Sequence, residues 1–317
     1  MVVPLAQEDP FELKAWLRAE ARALGFVRVG FASCEPFESE RTRLETWLAA
    51  GGRDLFPYLG TPDLVEPERL LPGARTALVG FFPYARPDAV PGAVPGSLKL
   101  SRYTWGPDYH MVLKGRLGRL LRMAEARIPG LQGRVCVDTA PLLERQMAVR
   151  AGLGWQGKHT LLIAGKGGSW GFLGVLLLTV DLPLDAPFPA DRCGACTACL
   201  EACPSGALSP FHLDPSRCLT TYTLETEREP PVEVARALRA TGWAAGCDRC
   251  QEVCPWNREP VWGDPVLWGG PSALHAVPEA ELPRGTAQWQ KLTRRTALRR
   301  VRHRHWRATL ARITGRS

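Results

Sequence analysis

Apolar residues recur at alternating helical and strand spacings through the first half of the chain. Spacing near 3.6 residues predicts four helices, over 10–24, 37–50, 108–128 and 141–151. Short apolar runs predict strands over 26–31, 76–84, 134–138, 160–164 and 172–180. This alternation predicts an α/β sandwich around a mainly buried sheet.

A proline-rich stretch over 182–190 separates this half from a cysteine-rich segment. We therefore predict an α/β domain over 1–184, a cysteine-bearing domain over 185–262 and a helical C-terminal region over 263–317. The longest apolar run, Gly171–Val180, is too short to span a bilayer, and the first residues do not resemble a secretory signal. We expect a cytoplasmic monomer with no membrane partner.

The net positive charge of the chain comes from its C-terminal region. Lys and Arg number 40 and Asp and Glu 32, for a net charge of +8, and eleven of the basic residues and none of the acids lie in 284–317. Such a basic region indicates a polyanionic partner, although a solubilising or acid-protein-binding face is the alternative. Trp289 and Trp306 within it either stack on nucleic-acid bases or pack the helix.

Eight of the ten cysteines fall between Cys193 and Cys254. The first run is C-x2-C-x2-C-x3-C-P, the bacterial ferredoxin pattern for [4Fe–4S] clusters, in which the fourth cysteine ligates the neighbouring cube. The second run, Cys247 to Pro255, matches the first with its leading cysteine missing, and Cys218 is the spare thiol. Zinc bound by four thiolates at two sites is the alternative.

One assignment uses all eight thiols without a remainder. It gives cluster one the ligands Cys193, Cys196, Cys199 and Cys254, and cluster two the ligands Cys203, Cys218, Cys247 and Cys250. Cys34 and Cys136 lie beside strand-like apolar residues and are expected to be buried, inert thiols.

Asp138 is the candidate for proton chemistry in the α/β half. It follows a predicted strand and precedes a predicted helix, which is where open α/β sheets place their ligands. The plainer interpretation of Asp138 is a helix cap, and that of Lys158 is a solvated surface lysine.

Blocks along nearly the whole chain resemble one family. They are SRYTWGPDYHMVLKGRL from Ser101, DTAPLLERQMAVRAGLGWQGKHTLLI from Asp138, GSWGFLGVLLL from Gly168, CLTTYTLE from Cys218 between the two cysteine runs, and TRRTALRR from Thr293. The sequence is similar to the epoxyqueuosine reductases, which are cobalamin-dependent iron–sulfur enzymes of tRNA queuosine biosynthesis.

The resemblance implies that the α/β domain holds cobalamin over its sheet, with Asp138 as proton donor, and that the cysteine-bearing domain is a ferredoxin-like two-cluster domain. The segment Asp108–His110 does not complete the DxHxxG motif that binds cobalt in other cobalamin proteins, because Leu113 stands in place of its glycine. His110 is therefore not expected to be an axial ligand. The residues that the resemblance places around the corrin are Arg102, Tyr103, Asp138, Lys158, His159, Thr160, Ser169, Thr220, Asp248 and Arg249.

The implied substrate is tRNA carrying epoxyqueuosine, and the implied electron source is a low-potential donor of the flavodoxin or ferredoxin type. The basic region then fits the tRNA backbone through Arg294, Arg295, Arg299, Arg300, Arg302 and Arg304, with Arg307 beside them. Two alternatives remain: a corrinoid iron–sulfur reductase acting on a small molecule, as reductive dehalogenases do, and a non-enzymatic two-cluster electron carrier.

Overall fold

The structure is a computed structural model that describes residues 8–86, 98–188, 191–268, 283 and 285–315. Residues 269–282 of the predicted C-terminal region lie outside this description. The chain forms two compact units, one from the described residues of 1–83, 110–157 and 161–192, the other from those of 84–109, 158–160 and 193–317. Within the described ranges, no helix is long and apolar enough to cross a membrane.

The helices and strands are numbered along the chain. The helices are α1 (Pro10–Ala23), α2 (Glu38–Trp47), α3 (Arg53–Leu55), α4 (Pro67–Leu70), α5 (Tyr109–Arg127), α6 (Glu144–Arg150), α7 (Ala198–Glu201), α8 (Val232–Thr241), α9 (Arg249–Glu252), α10 (Pro265–Trp268), α11 (Thr286–Thr293) and α12 (His303–Thr314). The strands are β1 (Arg28–Ser33), β2 (Thr76–Pro83), β3 (Lys99–Leu100), β4 (Gly133–Cys136), β5 (Trp155–Gln156), β6 (Leu162–Ile163), β7 (Gly171–Leu178), β8 (Leu208–Ser209), β9 (His212–Leu213) and β10 (Trp243–Ala245).

The first unit is built on a four-stranded sheet in the order β1-β2-β7-β4. All three pairings are antiparallel, with Thr76 opposite Leu178 and Gly133 opposite the same residue on the other side. Every residue of β2 is buried, because this central strand is covered on both faces. The rule for ligands at the carboxyl edge of parallel strands therefore does not explain the position of Asp138, although the mixed α/β class expected from the alternation is confirmed.

Helices pack on the two faces of this sheet. On one face, Met147 and Ala148 of α6 join Val79 and Val175 in a buried cluster. On the other face, Leu113 and Leu117 of α5 approach Gly174 so closely that a Cβ there would lie 2.8 Å from Leu117. Burial of this kind contributes roughly 25 cal/mol per Å² of apolar surface and fixes where α5 and α6 begin.

Some predicted elements are shorter or placed differently. The strand predicted over 160–164 is only β6, and it pairs with β5 outside the main sheet. The helix predicted over 141–151 begins at Glu144. Cys34 and Cys136 are buried as expected, and burial raises the pKa of each thiol to about 12.

The second unit joins segments that are distant in the sequence. β3 pairs in parallel with β10, and the N–H groups of Lys99 and Ser101 donate to the carbonyls of Gly242 and Ala245, both at 2.8 Å. Residues 98–109 and 158–160 therefore belong with the cysteines rather than with the α/β half, which differs from the predicted division near residue 184. The short helices α7 and α9 contain Cys199 and Cys250, respectively, and contact one another.

The described part of the basic C-terminal region is integrated into this unit. Its buried Trp289, Leu298, Val301 and Trp306 form one apolar cluster with residues that include Leu100. α12 also packs on α8 and β10. The region is thus part of a folded core and not an appended tail.

Candidate active site and cysteine clusters

Asp138 lies in the loop between β4 and α6. Its φ of 52° is in the left-handed region, which costs energy for a residue with a Cβ and is found most often at functional sites. The Asp138 side chain is 54% exposed, and the N-cap position of α6 is Leu143. The helix-cap interpretation of Asp138 is therefore wrong, and its carboxylate is open to solvent.

His110 holds the Asp138 carboxylate from the first turn of α5. The distance between His110 Nε2 and Asp138 Oδ2 is 2.9 Å, and the His110 side chain is mostly buried. Either the imidazole N–H donates to the carboxylate, or a protonated Asp138 donates to a neutral ring nitrogen. The two side chains thus share a proton that can be delivered from the exposed oxygens.

Two further side chains fix the loop that carries Asp138. Glu144 Oε1 accepts the backbone N–H of Asp138 at 2.7 Å, and Lys114 Nζ donates to Thr139 Oγ1 at 3.0 Å. Burial, followed by the negative charge of Asp138, raises the pKa of Glu144 to about 8. His110 and Lys114 are four residues apart on α5 and so lie on the same face of this helix.

The eight clustered cysteines separate into two groups of four. Burial, followed by the charges of three neighbouring thiols, raises the pKa of Cys254 to about 11. These neighbours are Cys193, Cys199 and Cys196. In the same way, the pKa of Cys250 rises well above its usual value through burial and through the charges of nearby groups, including Cys247, Cys218 and Cys203.

Backbone N–H groups are directed at the sulfurs of both groups. Ala207 N–H donates to Cys203 Sγ at 3.2 Å, and the N–H groups of Arg249 and Trp256 lower the pKa of Cys247 and Cys254, which burial has raised. Four thiols with amide donors are the ligand set that a cubane cluster requires. Across the described residues, no three His, Cys, Asp or Glu side chains are arranged to hold a single metal ion.

Lys158 contacts the first cysteine run. Its Nζ donates to the carbonyl oxygen of Gly194 at 2.6 Å and to that of Cys196 at 3.0 Å. The sequence-based interpretations of Lys158, as a corrin contact or as a free surface lysine, did not anticipate this engagement.

The other residues predicted around a corrin are divided between the units. Ser169 is buried in the first unit, whereas the rest, apart from Asp138, belong to the second. Buried Asp248 accepts the N–H of Arg102 at 2.7 Å, and burial raises its pKa to about 7. Thr220 hydrogen bonds to Cys218, and Thr160 has a left-handed φ of 70°.

Several of the predicted tRNA-binding arginines are paired with carboxylates of the same unit. Arg300 makes a bidentate ion pair with Glu225 at 2.6 and 2.9 Å. Arg302 and Arg304 both lie near Glu227, at 3.6 and 2.9 Å, but remain about two-thirds exposed. The others are exposed: Arg294, Arg295, Arg299 and Arg307.

The two tryptophans of the basic region pack on each other. The rings of Trp289 and Trp306 stack with centroids 4.6 Å apart, and both side chains are buried. Trp289 Nε1 also donates to the carbonyl of Val301 at 2.7 Å. Of the two alternatives, packing is correct and stacking on bases is wrong for this pair.

A comparison with known proteins then decides the family. An epoxyqueuosine reductase from Synechococcus sp. (strain CC9605) is 40% identical over 302 residues, covering 93% of this chain and 92% of the relative. The chain belongs to the epoxyqueuosine reductase family. Two family models agree with this membership: "Epoxyqueuosine reductase QueG, DUF1730" matches residues 65–139, and "4Fe-4S double cluster binding domain" matches residues 192–257. The second match favours iron–sulfur clusters over the zinc alternative.

Solved epoxyqueuosine reductases share the fold. A selenomethionine-labelled one superposes with a TM-score of 0.83 at 26% identity, covering 97% of this chain and 82% of that one. Another, solved with an epoxyqueuosine-modified tRNA-Tyr stem loop, has a TM-score of 0.80 at 27% identity. This match covers 97% of this chain and 84% of that one. The catabolic reductive dehalogenase NpRdhA has a TM-score of 0.53 at 18% identity, with 37% of its chain covered, and shares the fold alone.

Sequence reasoning missed three side chains of this site. It gave His110, Lys114 and Glu144 no part in proton chemistry, although all three surround the Asp138 loop. The spacing of His110 and Lys114 was a usable signal, since it places both on one helical face. No signal in the sequence shows that Glu144 turns back to the Asp138 backbone.

Proposed function

We propose that this chain reduces the epoxide of epoxyqueuosine in tRNA to the alkene of queuosine, in the cytoplasm. The observation that carries the proposal is the agreement with epoxyqueuosine reductases over more than nine-tenths of the chain. One such enzyme was solved with an epoxyqueuosine-modified tRNA stem loop. The reaction consumes two electrons and two protons and releases the epoxide oxygen as water.

Two [4Fe–4S] clusters are the proposed source of single electrons within the chain. The proposed ligands are Cys193, Cys196, Cys199 and Cys254 for one cluster, and Cys203, Cys218, Cys247 and Cys250 for the other. The mutual charge effects among the thiols of each set support this assignment. Amide donors at the sulfurs stabilise the negative charge of a reduced cluster. A flavodoxin or ferredoxin is the proposed external donor, and the chain is proposed to act as a monomer.

Cobalamin is the proposed group that supplies the reducing metal centre when bound. The residues proposed to hold it have hydroxyl, guanidinium, imidazole and carboxyl groups, which can hydrogen bond to the amide side chains of a corrin. They are Arg102, Tyr103, His159, Thr160, Ser169, Thr220, Asp248 and Arg249.

Asp138 is the proposed proton donor. Its exposed carboxyl, held by His110 and by the Glu144 contact to its backbone, can protonate the oxygen as the C–O bond breaks and negative charge develops. A solved Bacillus subtilis epoxyqueuosine reductase, 26% identical to this chain, is described with an aspartate catalytic loop swung out of the active site. That description supports a mobile acid in the corresponding loop here.

Neither alternative function is favoured by a specific observation. The dehalogenase likeness extends to the fold alone. A bare electron carrier has no use for a strained, exposed aspartate supported by three side chains.

The test is turnover by anaerobically reconstituted protein with cobalamin, a chemical reductant and a tRNA stem loop carrying epoxyqueuosine. Mass spectrometry of the nucleosides should show loss of one oxygen. No conversion, by protein with eight irons and a bound corrinoid, would overturn the proposal, and so would conversion of an organohalide in preference to the tRNA.

A further inference from the structure

Lys158 is anchored to the cysteine unit through both its side chain and its backbone. Its ammonium donates to the carbonyls of Gly194 and Cys196, and its own carbonyl accepts the N–H of Phe211 at 3.2 Å. The three residues 158–160 accordingly belong to this unit although their neighbours on both sides do not. Lys158 therefore has a defined place beside the loop of the first CxxC pair.

This loop is the exposed part of the cysteine region. Residues 194–197 are all exposed, including Cys196, although Cys199 and Cys254 of the same group are buried. The four thiols of the other group are partly buried, and none of them is exposed. A cluster held by Cys193, Cys196, Cys199 and Cys254 is consequently the one whose ligand loop faces solvent. An external donor can approach this cluster through the exposed loop.

The charge of Lys158 acts on the reduction potential of such a cluster. A reduced [4Fe–4S] cluster carries one more negative charge than the oxidised form, so a fixed ammonium a few ångströms away stabilises the reduced form more. The two hydrogen bonds also turn the carbonyl oxygens of Gly194 and Cys196 toward the lysine, which limits the freedom of the ligand loop.

We propose that Lys158 is a positioning residue that raises the potential of the solvent-facing cluster, so that this cluster accepts the incoming electron first. This assignment replaces the corrin contact expected from the sequence. It rests on the iron–sulfur part of the proposed function and does not depend on the corrinoid or the tRNA.

The experiment compares full-length Lys158→Met, which keeps the length and removes the charge, with Lys158→Arg, which keeps the charge. Lys166→Met is the matched control, because Lys166 is an exposed lysine with no hydrogen bond or ion pair in the described part of the chain. Each protein is reconstituted anaerobically without cobalamin. Iron, sulfide and both cluster midpoints are then measured, the midpoints by redox titration monitored by electron paramagnetic resonance.

We expect K158M to lower one midpoint and leave the other unchanged, while K158R and K166M stay close to wild type. Cys196→Ser identifies the affected signal, because it perturbs the same cluster. Loss of four of the eight irons from K158M, with one normal cluster remaining, would show that the lysine holds the ligand loop and would overturn the proposed effect on the potential.

Two normal midpoints in K158M with eight irons would overturn the proposal. Equal shifts of both midpoints, or equal loss of both clusters, would contradict it too. Wild-type protein that binds zinc in place of iron would instead refute the cluster assignment itself. Two normal clusters in a protein that does not convert epoxyqueuosine in tRNA would refute only the substrate.

Discussion

The carboxyl group of Glu144 accepts a hydrogen bond from the backbone N–H of Asp138 at 2.7 Å. This contact satisfies the amide of a residue held at a φ of 52°, where the backbone of an aspartate is strained. The proposed acid is thus positioned at two points, through its backbone by Glu144 and through its carboxylate by His110.

Replacing Glu144 should slow the reaction without removing any cofactor. Glu144→Ala leaves the Asp138 N–H without this acceptor, and a loop displaced by about 1 Å lowers kcat by roughly 10- to 100-fold. Glu144→Gln retains an acceptor oxygen, and we expect less than about a threefold loss. Single-turnover rates with iron and cobalt contents measure both effects, and equal rates for the two variants would show that the contact is dispensable.

The pH dependence of thermal stability should show the raised pKa of Glu144. Its pKa rises from 4.5 to about 8 in the folded chain, chiefly by burial. Between these values the folded chain keeps a proton that the unfolded chain has released, so the stabilisation present below about pH 4.5 is lost as the pH rises toward 8. The apparent thermal midpoint of the wild type should therefore fall more steeply from about pH 6 to 8 than that of E144Q. Parallel curves would disprove the shift.

Removing the Asp138 carboxyl should abolish product and spare the cofactors. General acid catalysis contributes roughly 10²- to 10⁴-fold, and Asp138→Asn cannot deliver the proton. The visible spectrum and iron content of D138N should match wild type, because no predicted cluster ligand is changed. Wild-type-like turnover by this variant would eliminate Asp138 as the donor.

The arginines of the C-terminal region should divide into RNA-binding and structural classes. Arg294 and Arg299 are exposed, so replacing both with Gln should weaken tRNA binding and reduce the slope of log affinity against log salt by about 1.5 to 2. Arg300 is paired with Glu225, so Arg300→Gln should lower the thermal midpoint and change the slope less. Fluorescence anisotropy over a salt series compares the two, and identical slopes for both would contradict the division.

The cysteine spacing was enough to predict the two thiol groups, because ligands of one cluster are largely adjacent in sequence and the remainder is fixed by counting. The antiparallel sheet was not predictable in the same way, since apolar runs show that strands are buried and not how they pair. The contacts of Glu144 and Lys158 depend on where loops return in space. No local pattern encodes that return, so the sequence did not predict these contacts.

The basic region illustrates a related limit. Arg300, Arg302 and Arg304 read as one positive stripe, but Glu225 and Glu227 come from a distant segment and offset part of it. Sequence charge therefore overstated the surface available to a polyanion. The apolar residues among the arginines, which include Trp289 and Trp306, are buried in one cluster, so this stretch is folded.

The parallel pairing of β3 with β10, and the apolar cluster that joins Leu100 to Trp306, have a consequence for biosynthesis. β3 cannot pair with β10 until residues 243–245 have left the ribosome, and the apolar cluster cannot close until Trp306 has also left it. Contacts between segments so distant in sequence form slowly. Metal delivery to the thiols should accordingly follow translation, and an excised fragment spanning only the cysteines should be a poor acceptor of iron and sulfide.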